Sequence, residues 1–342
     1  MSAPQTETSL SPIIVKVENL SKTFGNLKAV DNVGLEIREG EIFGFLGPNG
    51  AGKTTTINML TTLLKPTSGN ATVCGYDIFK QANEVRRNVG VVPQEYTADE
   101  DMTGINYILL CADLYGLPRS DSKPHSEELL ELVGLQDAAN RKIGTYSGGM
   151  RRRLELASGL INYPKLLFLD EPTLGLDVQT RTAVWTYIKM LKEDYHMTLF
   201  MTTHYLEEAD SLCDRIAIID HGHIIKTGTP EELKESIGGD IIVVGVKEQD
   251  PDISSDIAKI ALVKEVKKTG NTYRIKAESG EEASPRITDL IEAKGLHVTK
   301  VSLTKPTLDE AYLELTGRNL REEEVDKMQM FRQRVTMNRA RS

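Results

Sequence analysis

Apolar positions recur along this chain in two rhythms. From residue 13, IIVKVENL alternates apolar and polar side chains, the period of a half-buried strand. EIFGFLG (41–47) and KLLFLD (165–170) are short, nearly unbroken apolar runs, as fully buried strands are. NATVCG, NVGVVPQ, MTLFMTT (197–203), RIAIID (215–220) and HIIKTG (223–228) add further strand-like runs. Between the first of these strands, GPNGAGKTTTINMLTTLL opens with glycines and stops before Pro66, which predicts a helix of about three turns. VQTRTAVWTYIKMLKEDY predicts a second helix between KLLFLD and MTLFMTT. Strands alternating with helices predict an α/β domain on a parallel sheet. Residues 100–160 interrupt the alternation, because INYILLCADLYGL, SEELLELVGL and GGMRRRLELASGLI read as successive helices.

A short helix, PEELKESI, precedes Gly238-Gly239, and the domain boundary is expected there. Beyond it lie three strands (IIVVGVKE, LVKEVKK, TYRIKAE), a helix (SPRITDLIEAKGL), a strand (HVTKVSLT) and a last helix (TLDEAYLELTG). This is a compact α+β unit of about 80 residues, within the range of independent folding. The expected organisation is a disordered leader over 1–12, a first domain over 13–237 with a helical part at about 97–160, an accessory domain over 238–317, and a charged tail over 318–342.

Composition narrows the function. The net charge of −9 disfavours a general nucleic-acid binder, whose domain is normally basic, but says nothing against a local nucleotide site. Three scattered cysteines without a CxxC pair predict reduced thiols. No apolar run reaches the ~18–20 residues of a membrane span, and the polar N-terminus has no signal core, so a soluble intracellular chain is expected.

The chemistry concentrates at strand ends. GPNGAGKT at 47–54 fits G-x-x-x-x-G-K-[ST] and lies between a strand and a helix. Gly47, Gly50 and Gly52 let the backbone curl round phosphates, with Pro48, Asn49 and Ala51 between them and Thr55 following. Lys53 is placed for the β and γ phosphates, and the Thr54 hydroxyl for Mg²⁺, which prefers hard oxygen donors. At the carboxyl end of LLFL, Asp170 is placed to hold Mg²⁺ and Glu171 to polarise a water. His221 and His223 form an HxH, but DHGH between two strands reads as a hairpin turn and not as a metal site.

TYSGGMRRRLELAS at 145–158 adds a second helix start suited to an anion, about ninety residues beyond the phosphate loop. Together with the loop and the acid pair, it makes the chain resemble the nucleotide-binding subunit of an ATP-binding-cassette (ABC) transporter over roughly residues 13–237. The ordered motifs carry that resemblance. Walker A is 47–54, Walker B 166–171, the Q-loop Gln94, the signature Ser147-Gly148-Gly149, the D-loop Gly175-Leu176-Asp177 and the switch histidine His204. Phe24 falls where the family sets an aromatic ring against adenine. The signature departs from the familiar LSGGQ at Tyr146 and Met150. With the ending LDEAYLELTGR, that departure resembles the daunorubicin-type exporter branch, whose ATPase subunits carry a small accessory domain.

The resemblance implies a P-loop fold with a RecA-like core, an antiparallel β subdomain and a helical subdomain, followed by an α+β domain. It implies ATP and Mg²⁺ as cofactors, with Thr54, Gln94 and Asp170 at the metal and Glu171 and His204 in hydrolysis. It further implies a homodimer or heterodimer of ATP-binding domains, with each ATP between one subunit's Walker A and the other's signature. An integral membrane permease is the implied partner, at the cytoplasmic face of the cell membrane, and no nucleic acid. A soluble ABC-type ATPase of translation or DNA repair is the alternative. Against it stand one Walker A, only about 50 residues between Gln94 and Ser147, and no sustained heptads. A small-molecule kinase would leave Ser147-Gly148-Gly149, Asp177 and His204 unexplained. Arg151, Arg152 and Arg153 step ~100° apart round their helix, so they are expected in packing and ion pairs and not together at a phosphate.

Overall fold

The computed structural model describes residues 11–236, 238–247 and 252–317. Most of the expected leader and all of the expected tail at 318–342 lie outside the described residues. The chain divides between Thr229 and Pro230 into two compact units.

In the first unit, two long strands, β1 (Ile13–Phe24) and β2 (Leu27–Arg38), form an antiparallel hairpin. β4 (Ser68–Val73) and β5 (Tyr76–Asp77) extend it into a sheet of order β2-β1-β4-β5. A second sheet, of order β10-β9-β3-β8-β7-β6, contains β3 (Ile42–Leu46), β6 (Val89–Val92), β7 (Leu166–Asp170), β8 (Thr198–Thr203), β9 (Arg215–Asp220) and β10 (His223–Gly228). Its strands run parallel except β10, which returns antiparallel beside β9. β3 and β7 are buried along their whole length, which is why they read as unbroken apolar runs. Phe200 meets Phe43, Phe45 and Phe168 at ring centroid distances of 5.4–5.9 Å in the middle of this sheet. The two sheets share one core with α1 (Lys53–Leu60).

The helices are α2 (Ala82–Asn88), α3 (Gly104–Leu114), α4 (Arg119–Leu132), α5 (Gly148–Gly159), α6 (Val178–Glu193) and α7 (Leu206–Leu212). α3, α4 and α5 pack on one another, making residues 104–159 the helical part. α1 is shorter than the pattern predicts. Thr62 turns left-handed (φ 65°) and the Leu64 amide returns to Asn58 O at 2.8 Å, which closes the helix before Pro66. β2, β5, α2 and α7 are the elements of this unit that the apolar pattern does not announce.

The second unit opens with α8 (Pro230–Glu235), which packs against the last helix, α11 (Leu308–Thr316). The division therefore falls ahead of PEELKESI and not at Gly238-Gly239. β11 (Asp240–Val246), β12 (Val263–Thr269), β13 (Thr272–Ala277) and β14 (Val298–Thr304) form an antiparallel sheet of order β12-β13-β11-β14. The one-turn α9 (Ser254–Ile257) and α10 (Gly280–Ala293) supply Ile257, Ala283, Ile287 and Ile291 to a core with Ile242, Val244, Tyr273 and Ile275. A capping box between Thr307 and Glu310 starts α11.

One close approach fixes α5 against the parallel sheet. A Cβ on Gly90 of β6 would lie 1.9 Å from the carbonyl oxygen of Gly159 at the end of α5. Gly90→Ala should therefore cost about 1–3 kcal/mol or more of stability, the usual cost of overpacking. Gly34→Ala, whose new Cβ would meet Val17 O at an ordinary 3.6 Å, should cost less. Parallel denaturant titrations would check this, and equal effects would contradict the packing account.

Candidate functional site

The site is assembled by strand polarity. β3, β6, β7 and β8 are parallel, so the residues that follow them collect at one edge of the sheet. After β3 comes the glycine loop 47–52 and Lys53; after β6, Gln94; at the end of β7, Asp170 and Glu171; after β8, His204. Leu46 pairs with Thr203, Asp170 with Thr202 and Val92 with Leu169, so the four strand ends are level.

A cavity of about 340 Å³ opens there. Phe24, Leu27, Asn49, Lys53, Gln94 and Glu171 line it, with Gly50, Gly52, Thr54 and Thr55 along its floor. Phe24 is half exposed at the mouth, with Lys22 Nζ 5.0 Å from its ring centroid. Gly52 needs to be glycine twice over: its φ is 107°, and a Cβ would stand 2.5 Å from Ala29 O. The N-terminus of α1 faces the cavity and carries no side-chain cap, so its first amides remain available to an anion. A cradle of backbone, one buried ammonium and hard oxygens from Thr54, Gln94 and Asp170 fits a nucleoside polyphosphate with its divalent cation.

Lys53 is 4% exposed. Its ammonium donates to Gly47 O at 2.8 Å and Pro48 O at 3.2 Å, and pairs with Glu171 Oε1 at 3.0 Å. The other Glu171 oxygen meets His204 Nδ1 at 3.1 Å. Glu171 is thus a buried carboxylate between two cationic or donor groups. Its backbone is left-handed (φ 47°), uncommon for a residue with a Cβ, and its amide is held by Thr202 O at 3.2 Å and Thr202 Oγ1 at 3.0 Å. Burial by itself would raise the Glu171 carboxyl. The His204 ring and the Lys53 ammonium outweigh it and hold the group at about 2. Asp170 is 4% exposed and accepts from the Thr202 hydroxyl, so a single threonine orders both acids.

Ser147, Gly148 and Gly149 do not line this cavity. Ser147 caps α5 through the Met150 amide (3.3 Å). Gly149 lies against Thr180, and Asp177 caps α6 through Thr180 N at 2.9 Å and Thr180 Oγ1 at 2.8 Å. The signature segment and the Asp177 turn therefore adjoin each other. Tyr146, the odd residue of that segment, is buried and donates its hydroxyl to Ala138 O at 2.7 Å, anchoring the turn inside the helical part.

The three arginines behave as their spacing predicts. Arg151 pairs with Glu100 (2.5 Å), and Arg153 donates to Val133 O (2.7 Å). Arg152, 1% exposed, donates to Pro93 O (2.7 Å) and Gln94 O (2.8 Å), while Glu155 accepts from the amides of Thr97 (2.8 Å) and Ala98 (3.2 Å). The Gln94 segment is thereby fastened to α5. Sequence reading overlooks Leu27 and Ala29 in the cavity wall, because β2 carries no strong apolar pattern. It also overlooks Glu208, whose only signal is an acid on the apolar face of LEEADSL. His223 pairs with Asp31 at 3.4 Å, and no group of three or more metal-ligating side chains occurs among the described residues.

The chain has relatives of known description. Residues 30–174 match the ABC transporter family, and residues 228–316 match the C-terminal domain of DrrA1-3-like ATP-binding proteins. The linearmycin resistance ATP-binding protein of Bacillus subtilis is 38% identical, over 90% of this chain and 100% of that protein. The daunorubicin/doxorubicin resistance ATP-binding protein of Streptomyces peucetius is 38% identical, over 89% of this chain and 92% of that protein. Among solved structures, a dimeric post-hydrolysis ATP-binding cassette bound to ADP and Pi matches with TM-score 0.57 and 27% identity, covering 63% of this chain and 98% of that one.

The Glu171 cluster sets a pH window. A carboxyl held below its unfolded value adds stability that is complete above the unfolded value, near 4.5, and is lost as pH falls towards about 2. Wild type should therefore lose more stability than Glu171→Gln between about pH 5 and pH 2 in urea titrations. Parallel losses would mean that the cluster does not hold the carboxylate.

Proposed function

The chain belongs to the ABC transporter family as an ATP-binding subunit with a DrrA-like C-terminal domain, and on that premise we propose how its residues work and what they serve. It is the ATP-hydrolysing motor of a transporter. Subunits of this family dimerise and work with a membrane permease; among the described residues no helix is long and apolar enough to cross a membrane itself. The proposed cargo is a drug, lipid or other small molecule moved outward, because the two relatives above are resistance proteins for linearmycin and for daunorubicin and doxorubicin.

The observation that carries the mechanism is the separation of two anion-binding helix starts. The loop 47–54 and α1 hold one cavity, and Ser147-Gly148-Gly149 at the start of α5 lies outside it. Two cassettes placed head to tail, as a homodimer or heterodimer, would give the second helix start the other subunit's phosphate. Each site then has Phe24 at the adenine, Gly47 to Thr55 round the phosphates, and the partner's copy of the Ser147 and Asp177 turns closing over it.

Arriving phosphate oxygens compete with Glu171 for the Lys53 ammonium. When Lys53 turns to phosphate, Glu171 loses one of its two partners and keeps His204, which leaves Oε1 free to accept a proton from water. Glu171 then acts as the base, and His204 orients both the carboxylate and the terminal phosphate. Bound Mg²⁺, held by Thr54, Gln94 and Asp170, would supply charge neutralisation at the phosphate oxygens. Most of the rate then comes from groups fixed in advance round developing charge. Gln94 reports the state of the site to α5 through Arg152, and the helical part, with the permease docked on it at the cytoplasmic face of the membrane, moves in response.

Glu171→Gln should keep ATP binding and slow hydrolysis by ~10²-fold or more, as loss of an acid–base group does. It should also accumulate an ATP-dependent dimer in size-exclusion chromatography. Near-normal turnover would remove Glu171 from its role. Ser147→Arg should leave ATP binding by the monomer intact and abolish that dimer; an ATP-dependent dimer of Ser147→Arg would contradict the head-to-tail arrangement.

A further inference from the structure

Glu208 stands in the first turn of α7, four residues after His204, and is fully buried. A buried carboxylate is costly unless its oxygens are engaged. Packing does not need it here, because Leu206, Ala209 and Leu212 already bury the same helix. What Glu208 does instead is join three segments. Oε1 accepts from Thr173 Oγ1 at 2.8 Å and from Trp185 Nε1 at 3.0 Å. The Thr203 hydroxyl also faces the carboxylate, and the Arg181 guanidinium is the nearby cation. Burial pushes its pKa up against the pull of those donors.

Each partner sits beside a working residue. Thr173 follows Glu171 by two positions, and the Leu174 amide returns to Glu171 O at 3.1 Å, so the turn after Glu171 is tight. Arg181 and Trp185 lie on α6, which Asp177 caps. Thr203 immediately precedes His204; its hydroxyl accepts from the Tyr205 amide at 2.9 Å, and its carbonyl accepts from the Gly47 amide at 3.2 Å. Glu171 and His204 come from strands β7 and β8 and meet at 3.1 Å. Beyond the strand ends, Glu208, four residues after His204, accepts from Thr173, two residues after Glu171, and so ties the two segments together.

We propose that Glu208 is a positioning residue for ATP hydrolysis: its carboxylate fixes the turn after Glu171 against the segment carrying His204, so that the Glu171–His204 contact has one geometry. The proposal rests on the roles given to Glu171 and His204 above. It assigns Glu208 no contact with nucleotide; its effect passes through Thr173 and through its own helix α7, which follows His204. The phosphate loop meets this network only through the backbone bond from the Gly47 amide to Thr203 O, which Glu208 does not make, so ATP affinity should change little.

Steady-state ATPase kinetics of the full chain test this. Glu208→Ala should lower kcat by ~10²-fold, as small misplacements of reacting groups do, and change KM for ATP by less than about threefold. Glu208→Gln, whose amide oxygen can still accept from Thr173 and Trp185, should recover at least about tenfold of that loss. If Glu208→Ala does not fold, Thr173→Val reads the same link and should lower kcat by about tenfold. Adding Glu208→Ala to His204→Ala should slow turnover by no more than about twofold, because residues acting as a unit are not additive. Wild-type kcat in Glu208→Ala, or in Thr173→Val where the first does not fold, would overturn the proposal. So would a rise in KM with kcat intact, which is the mark of a packing role, or fully multiplied losses in the double variant. Normal turnover in His204→Ala alone would instead sink the role given to His204, and this proposal with it.

Discussion

The parallel register of β3, β8, β7 and β6 is the constraint on which the rest depends. It levels four strand ends, and every group of the candidate centre is attached within a few residues of one of them. Lys53, Gln94, Glu171 and His204 come from segments up to 151 positions apart in the chain, yet none needs a long loop to reach the others. The register is held by the buried aromatic cluster round Phe200 and by ladders whose side chains are apolar on both faces. A slip of one residue would turn each buried side chain to the opposite face and displace Glu171 from Lys53.

On that frame the charges are arranged as a relay. Thr202 orders both Asp170 and Glu171, Glu171 bridges Lys53 and His204, and Glu208 holds the segments behind Glu171 and His204. Further out, Arg152 and Glu155 fasten the Gln94 segment to α5, the helix that begins with the signature. One wall of the cavity, the Gln94 segment, is thereby fastened to the helical part. The arginines that follow the signature are part of this frame, which explains why three of them crowd a helix start without forming one anion site.

Much of this was legible in the chain. The loop 47–54 is legible because its backbone needs particular residue types at fixed positions: glycine where the chain must bend back, with a lysine and a threonine next to them. The acid pair could be read because an apolar strand leads straight into it. Other features were harder. β2 alternates weakly, so the pattern does not mark its share of the cavity wall, and nothing in TTLL announces the left-handed Thr62 that ends α1 early. Gly238-Gly239 marks the helix PEELKESI as the end of a domain, but that helix packs with α11, some seventy residues later.

What the sequence determined by itself is local: a glycine loop leading into a lysine and a threonine, a strand-end acid pair, a second Ser-Gly-Gly helix start, and an α/β alternation to carry them. Each rests on short-range rules of backbone geometry and side-chain period. Only the tertiary structure decided which of these meet. It placed Phe24 and Gln94 at one cavity with Lys53 and Glu171, set His204 against Glu171, and kept Ser147 away from them. It also turned Glu208, one acid among several in LEEAD, into a buried joint between two strand ends. The reason is physical. Contacts between distant segments follow from strand order and register, and those are settled by the packing of the whole sheet.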